Sequence, residues 1–501
     1  MRGTFLAKTS IAAVAGMVMT ACAVGPNFHA PAAPDTTVYT ATALPSETVS
    51  TSGTGGVSQR FALGQDIPAQ WWTLLHSAQL DELIRRALAD NPTLAAAQAT
   101  LRQAQENLRA VVGSALFPRV DAGVSASRQK ISGAEFGEPS TSFPAFTLYN
   151  ASVNVQYALD LFGGARRELE ALRSQVDYER FQLEGAYLTI TSNIVTAAIE
   201  EALQRAQIRA TREIIADQEK QLEVVERQFQ LGAVTRADVL AQRAQLAQTQ
   251  ATLPALEKAL AQTRHQLAVL AGKLPSDAAS LPEFNLEGLQ LPQELPVSLP
   301  SSLVRQRPDI QASEALLHAA SAQIGVATAA MYPQITLSGS VGWESSSTGN
   351  LFSSNAAIWS LTGGLLQPLF HGGELSAKRR AAVAAYDQAD AQYRATVLLA
   401  FQNVADVLRA LDADAQTLKA QTNAEAAAAE TFDLTQKQFQ LGAVNYLSLL
   451  NAERQHQEAR INLVAAQAAR FADTAALFQA LGGGWWNRTP QAEAATGTKQ
   501  E

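Results

Sequence analysis

The chain has 501 residues, 47% of them hydrophobic and only 17% charged, with 46 acidic against 38 basic side chains and one cysteine. That charged fraction is below the roughly 25% of an ordinary soluble domain, and Ala, Gln, Ser and Thr in place of Lys and Glu suit long, closely packed helices better than a conventional globular enzyme. A net charge of −8 opposes nucleic-acid binding, which favours a basic stripe, and a single cysteine excludes an internal disulfide, a thiolate zinc site and a paired redox motif.

At the N-terminus, Arg2 and Lys8 precede a short apolar run, Ile11 to Met19, and Met19-Thr20-Ala21 lead into Cys22. Residues 1–21 have the pattern of a secretory signal peptide and are too short for a membrane-stop helix. Small residues before a cysteine are the pattern at which a bacterial lipoprotein is acylated and cleaved; the alternative is a plain signal peptide with an incidental cysteine. Ala23 rather than Asp after Cys22 implies sorting to the outer membrane, where two or more acyl chains hold a protein stably. Cleavage removes two positive charges, giving a mature net charge of −10, and leaves Met331 as the one methionine. No later stretch has eighteen consecutive apolar residues, so no helix is expected to span a membrane.

After the acylated segment, 22–76, the chain repeats itself. Gln228-Phe229-Gln230-Leu231-Gly232-Ala233-Val234 recurs as Gln438-Phe439-Gln440-Leu441-Gly442-Ala443-Val444, and Asn91-Pro92 to Phe117-Pro118 matches Arg307-Pro308 to Tyr332-Pro333. The spacing predicts a first repeat at 77–272, a Pro-rich linker at 273–302, a second repeat at 303–486 and a flexible tail at 487–501. Each repeat opens with a helix, at about 77–114 and 303–331. Two strand-like runs follow in each, with alternating apolar and polar residues: Val120 to Ala126 and Tyr149 to Leu159, then Ile335 to Trp343 and residues 357–368. Gly-, Ser- and Pro-rich loops at 129–147 and 344–356 separate them.

Helices of unusual length come next, at about 163–229 and 372–439. Tyr393, Val397, Phe401, Val404, Leu408, Leu411, Ala415 and Leu418 step by four or three, a coiled-coil seam with one stutter. Gly232 and Gly442 stand where a helix-terminating glycine belongs. Return helices at 236–271 and 446–481 make two antiparallel hairpins, and Pro254 should kink the first. The fold class is therefore α+β, mostly α.

Four strands cannot close a barrel, for which about eight is the practical minimum. An open amphipathic sheet in lipid leaves edge N–H and C=O groups unsatisfied, at several kcal/mol each. Strands that cross a membrane must therefore come from several copies. Two copies supply eight strands, usually plugged by side chains, whereas three supply twelve and leave an aqueous lumen. The alternative is a soluble α+β protein.

The chain resembles the outer membrane efflux factors of the TolC-like superfamily, in the lipoprotein branch of NodT or OprM type. The resemblance rests on Val24-Gly25-Pro26-Asn27-Phe28, Trp71-Trp72, Arg307-Pro308-Asp309-Ile310, Gly364-Leu365-Leu366-Gln367-Pro368-Leu369-Phe370-His371-Gly372-Gly373 and Leu481-Gly482-Gly483-Gly484-Trp485. It implies a homotrimer with a twelve-stranded outer-membrane barrel and a periplasmic α-barrel. It also implies a lipid anchor at Cys22, docking to a periplasmic adaptor, and an inner-membrane pump, often of the resistance–nodulation–division class.

The same resemblance places the hairpin tips, Gly232-Ala233-Val234 and Gly442-Ala443-Val444, against the adaptor and around the periplasmic entrance. Relatives of this type often carry aspartates where Ser448 and Asn451 stand here. Asp238 alone keeps an acidic side chain at the matching first-repeat position, and three copies would bias the pore toward cations. Capping alone also accounts for Asp238, because Thr235-x-x-Asp238 has capping-box spacing, and Asn445 is a good N-cap. Tyr446 is placed to hydrogen-bond to a neighbouring hairpin.

No catalytic constellation emerges. The histidines at 29, 76, 265, 318, 371 and 456 are scattered, and Leu161-Phe162-Gly163-Gly164 lacks a phosphate-binding lysine. No cofactor or metal is expected. The leading reading is a passive exit duct for small molecules. Alternatives are a duct for protein secretion or metal-ion export, or a periplasmic coiled-coil tether.

Overall fold

The computed structural model describes residues 23–488 apart from 133, 135, 136, 138, 139 and 141. The signal peptide, Cys22 and the tail beyond 488 lie outside the described residues. The chain divides into two compact units. The first gathers residues up to 31, 100–180 and 312–394, and the second gathers 32–99, 181–311 and 395 onward.

The first unit holds a four-stranded antiparallel sheet of β2 (Arg119–Gln129), β3 (Phe146–Leu159), β5 (Gln334–Ser345) and β6 (Ala357–Leu366), in that order. Its register aligns the four alternations. Val120 lies opposite Val155 and Val124 opposite Ala151. Val153 lies opposite Val341 and Ala151 opposite Trp343, while Val341 faces Trp359 and Ile335 faces Leu365. One face is thus continuously apolar across all four strands, and Asp121, Asn150, Asn154, Ser340 and Thr362 occupy the other. A one-residue slip in any strand would move its whole apolar set to the wrong face. Much of that apolar face is exposed: Val124, Trp359, Leu361 and Leu365 are each 70% exposed or more.

The residues that follow the signal segment are tied down in this unit. Val24 N–H donates to the Phe162 carbonyl at 3.0 Å. Arg167, almost wholly buried, donates to the carbonyls of Val24 and Gly25 and to Asn27 Oδ1, and pairs with Glu170 at 2.7 Å. Phe28 stacks on His318 with ring centroids 4.3 Å apart, and His318 Nε2 lies 2.9 Å from Glu170 Oε1.

Each repeat opens with two helices where the sequence suggested one: α1 (Ala78–Asp90) with α2 (Pro92–Leu116), and α5 (Pro300–Gln306) with α6 (Pro308–Ala329). The cause is the same in both. Asn91 and Arg307 each precede a proline, whose ring disfavours helical ψ, and their ψ angles are 120° and 125°. Asn91 uses the break, its Oδ1 accepting from Thr93 N–H at 2.8 Å and its Nδ2 donating to the Leu270 carbonyl at 2.8 Å.

Two long hairpins follow, α3 (Gly164–Gln230) with α4 (Arg236–Leu270) and α7 (Glu374–Gln440) with α8 (Tyr446–Ala480). The long arms have 67 residues each and the return arms 35 each. A helix of 67 residues extends about 100 Å. Along α7 the expected seam is buried from Tyr393 to Leu418, with Val404 and Leu411 fully enclosed and only Phe401 half-exposed. The helical run of α4 passes unbroken through Pro254. Pro254 and Gln250 are both exposed, so the carbonyl that Pro254 leaves without its helical partner faces water.

Within the second unit, β1 (Arg60–Leu63) pairs in parallel with β4 (Glu294–Val297), joining the N-terminal segment to the Pro-rich linker. Trp71, Trp72, Leu75, Leu80 and Ile84 form a closed core there, and Trp71 stacks on Phe478 at 5.3 Å. Arg470, almost fully buried, holds this region by donating to the carbonyls of Leu411, Gly55 and Val57.

Candidate functional site: the hairpin tips

Both tips are built alike. At the end of α3, Gly232 has φ +75°, Ala233 N–H donates to the Gln228 carbonyl at 2.9 Å and Gly232 N–H to the Phe229 carbonyl at 2.9 Å. At the end of α7, Gly442 has φ +72°, with the matching bonds to Gln438 at 2.8 Å and Phe439 at 3.0 Å. These are the paired closing bonds of a Schellman motif, and φ in that range favours glycine. Gly232, Ala233, Gly442 and Ala443 are exposed, and Val234 and Val444 are half-buried.

The return arms then start with side-chain caps. Thr235 Oγ1 accepts from Asp238 N–H, while Asp238 Oδ2 accepts from Thr235 N–H at 2.8 Å and from Thr235 Oγ1–H at 2.7 Å. The first-repeat carboxylate is therefore engaged in a complete capping box. In the second repeat Asn445 Oδ1 accepts from Ser448 N–H and from Ser448 Oγ–H, both at 2.9 Å. Ser448 and Asn451 are exposed.

Tyr446 behaves differently from its neighbours. It is 5% exposed and lies in a core cluster with Val225, Val239, Leu449 and Leu450. Its ring meets Phe439 edge-on at 5.7 Å. Its hydroxyl donates to Gln242 Oε1 on α4, so one bond ties the second hairpin to the first. Gln242 is fully buried, and its Nε2 donates to the Gln218 carbonyl on α3 at 3.4 Å. Burial pushes the Tyr446 phenol well above the ordinary tyrosine range, with Glu453 and Asp238 adding to the shift, so it remains a donor at any physiological pH.

Two members of this group escaped sequence reasoning. Gln242 carries no sequence signal, since its partner is 204 residues away. Glu453 did carry one: it lies seven residues after Tyr446 and so on the same helical face, among apolar neighbours. It is 5% exposed, and burial raises its carboxyl above the usual range.

Among the described residues no helix is long and apolar enough to cross a membrane, and no cluster of His, Cys, Asp and Glu could hold a metal ion. The sheet and hairpins agree with a known family. Residues 83–273 and 299–483 match the outer membrane efflux protein family. The chain belongs to that family. Similar outer membrane efflux proteins include the pyoverdine export outer membrane protein OpmQ of Pseudomonas putida, 32% identical over 450 residues and covering 87% of this chain and 93% of the relative. The antibiotic efflux pump outer membrane protein ArpC of Pseudomonas putida is 28% identical over 488 residues, covering 96% of each. The crystal structure of the outer membrane protein VceC of Vibrio cholerae superposes with a TM-score of 0.78 at 29% identity, over 84% of this chain and all of that one. The chain is accordingly an outer membrane efflux channel protein of TolC-like fold, and its relatives are transport proteins rather than enzymes.

Proposed function

We propose that this protein is the passive exit duct of a tripartite efflux system, working as a homotrimer without catalytic chemistry or cofactor. The observation that carries the reading is the sheet. It is apolar on one face, polar on the other, and ends in two edge strands, β2 and β6. The strands alternate in direction, so β6 of one copy can pair antiparallel with β2 of the next without breaking the pattern. Three copies of four strands give a twelve-stranded barrel, with the Val124–Trp359 face toward lipid and the Asn154–Ser340 face toward water.

The repeats at 77–272 and 303–486 each supply two strands and one hairpin. Acylated Cys22 holds the mature chain to outer-membrane lipid, supported by the clamping of Val24 to Phe28. The tips, Gly232-Ala233-Val234 and Gly442-Ala443-Val444, receive a periplasmic adaptor, and an inner-membrane pump of the resistance–nodulation–division class drives transport. Small toxic molecules and drugs are the cargo, in keeping with the different cargoes named for OpmQ and ArpC. Tyr446 closes the periplasmic end through Gln242. Asp238, with Ser448 and Asn451 beside it, lines the entrance while also capping α4.

Reconstitution in planar bilayers tests the duct. Discrete single-channel steps with cation preference are expected; a protein inserted in the bilayer that conducts nothing under any condition would refute it.

A further inference from the structure

The duplication makes the seam between the two repeats a template for the seam between two copies. In the chain, β3 ends the first repeat and β5 opens the second, and they pair antiparallel from Tyr149 opposite Ser345 to Leu159 opposite Ile335. Carried past the last pair, the same register sets Phe162 opposite Tyr332, and their rings stack 4.8 Å apart with 22° between their planes. Phe162 lies just before α3 and Tyr332 just after α6. The stack therefore closes the seam where strands give way to helices.

Both rings have counterparts at the outer edges of the sheet. Leu161-Phe162-Gly163-Gly164 recurs as Leu369-Phe370-His371-Gly372-Gly373, and Tyr332-Pro333 matches Phe117-Pro118. Phe370 thus follows β6 as Phe162 follows β3, and Phe117 precedes β2 as Tyr332 precedes β5. With β3 and β5 between them, β2 and β6 lie about 14 Å apart, so the two rings cannot stack within one copy. Phe370 is 87% exposed, Phe117 62% and the adjoining Leu369 91%. A ring left in water forfeits both its burial and its aromatic partner. A second copy presenting the opposite edge covers both rings.

We propose that Phe370 stacks on Phe117 of the partner subunit, an aromatic clasp that fixes the register in which β6 pairs with the next copy's β2. The clasp presupposes the shared barrel proposed above and sets its alignment. Counted along the strands from the clasp, Leu365 falls opposite the partner subunit's Ala122 and Leu361 opposite the partner subunit's Ala126, apolar against apolar. On the other face, Thr362 falls opposite the partner subunit's Ser125. Barrel geometry agrees. Followed through the three observed registers and the clasp, the ladder returns to β2 of the next copy displaced by about six residues, hence about eighteen round twelve strands. With a rise of about 3.3 Å per residue and about 4.8 Å between strands, that stagger tilts the strands about 45°, at the steep end of the usual range of roughly 35–45°. A two-residue slip that deepens the stagger tilts them about 54°, outside that range; the opposite slip, to about 35°, stays within it but unstacks the rings.

Cysteine cross-linking in isolated outer membranes tests the clasp. Residues directly opposite in an antiparallel pair have Cα atoms about 4.5–5.5 Å apart, inside the disulfide range, whereas neighbours two positions off are about 7–8 Å apart. Mild oxidation of the Phe117→Cys/Phe370→Cys double variant should therefore give covalent dimers and trimers, and each single variant should give neither. The Ala126→Cys/Leu361→Cys pair, inside the ladder, should do the same and tests the register even if the first pair assembles poorly. Phe162→Cys/Tyr332→Cys should close within one chain, on the template seam. A three-chain particle in which neither intersubunit pair cross-links, or in which Leu361→Cys links to Val124→Cys or Arg128→Cys instead, would overturn the clasp while leaving the trimeric barrel standing. A particle without three chains would overturn the barrel itself.

Discussion

Replacing Tyr446 by Phe keeps the ring in the Val225–Leu449 cluster and against Phe439, and deletes only the hydroxyl that donates to Gln242. Gln242 Oε1 then loses that donor, inside a residue with no exposed surface. A buried acceptor left in that state costs about 1–3 kcal/mol. If Tyr446 closes the periplasmic end as proposed, the cost applies only to the closed state, since opening would let water reach Gln242. In a trimer whose three links break together, the closed state loses about 3–9 kcal/mol. Even the lower bound raises the open-to-closed ratio about a hundredfold. Single-channel recording of wild type and Tyr446→Phe in the same bilayers measures this as open probability, and sensitivity to a large antibiotic that leaks through an open duct measures it in cells. An unchanged open probability in a correctly assembled Tyr446→Phe channel would refute the proposed closing role and leave Tyr446 as a core residue only.

Two further outcomes follow from the geometry. Val341→Arg places a charge on the apolar face of the sheet and should cost about 2–4 kcal/mol near mid-bilayer, seen as loss of folded protein from outer-membrane fractions; Ser340→Arg, one residue away on the polar face, should insert normally and alter ion selectivity instead. Asp473 on α8, beside Asp414 on α7, is pushed up to about 7 by burial and by that second carboxyl. A raised folded-state value means that stability is greatest below the unfolded aspartate range and falls as pH rises from about 4 to about 7, so thermal midpoints should decline across that window in wild type and stay flatter in Asp473→Asn.

Much of the fold was legible because it rests on local periodicity. The alternation in Val120 to Ala126 and Ile335 to Trp343 fixed which residues share a sheet face, and the α7 seam marked the helix face that is buried. The 210-residue offset announced two hairpins of one design. What stayed hidden depends on partners far apart in the chain. No pattern within 22–76 or 273–302 pairs Arg60 with Glu294. Nothing local joins Arg470 to Gly55 and Val57. The opening helices read as single because apolar periodicity runs past Asn91 and Arg307, whereas the following prolines decide the backbone. At the tips, Asp238 and Asn445 were readable as caps from spacing alone. The Tyr446–Gln242 link needed the two hairpins packed side by side.

A four-stranded sheet must close its two edges against other copies to cross a membrane, and native mass spectrometry of the protein extracted from outer membranes tests that most directly. Three chains per particle are predicted, since three sheets of four strands make a twelve-stranded barrel with an aqueous lumen. A particle of one or two chains would contradict it.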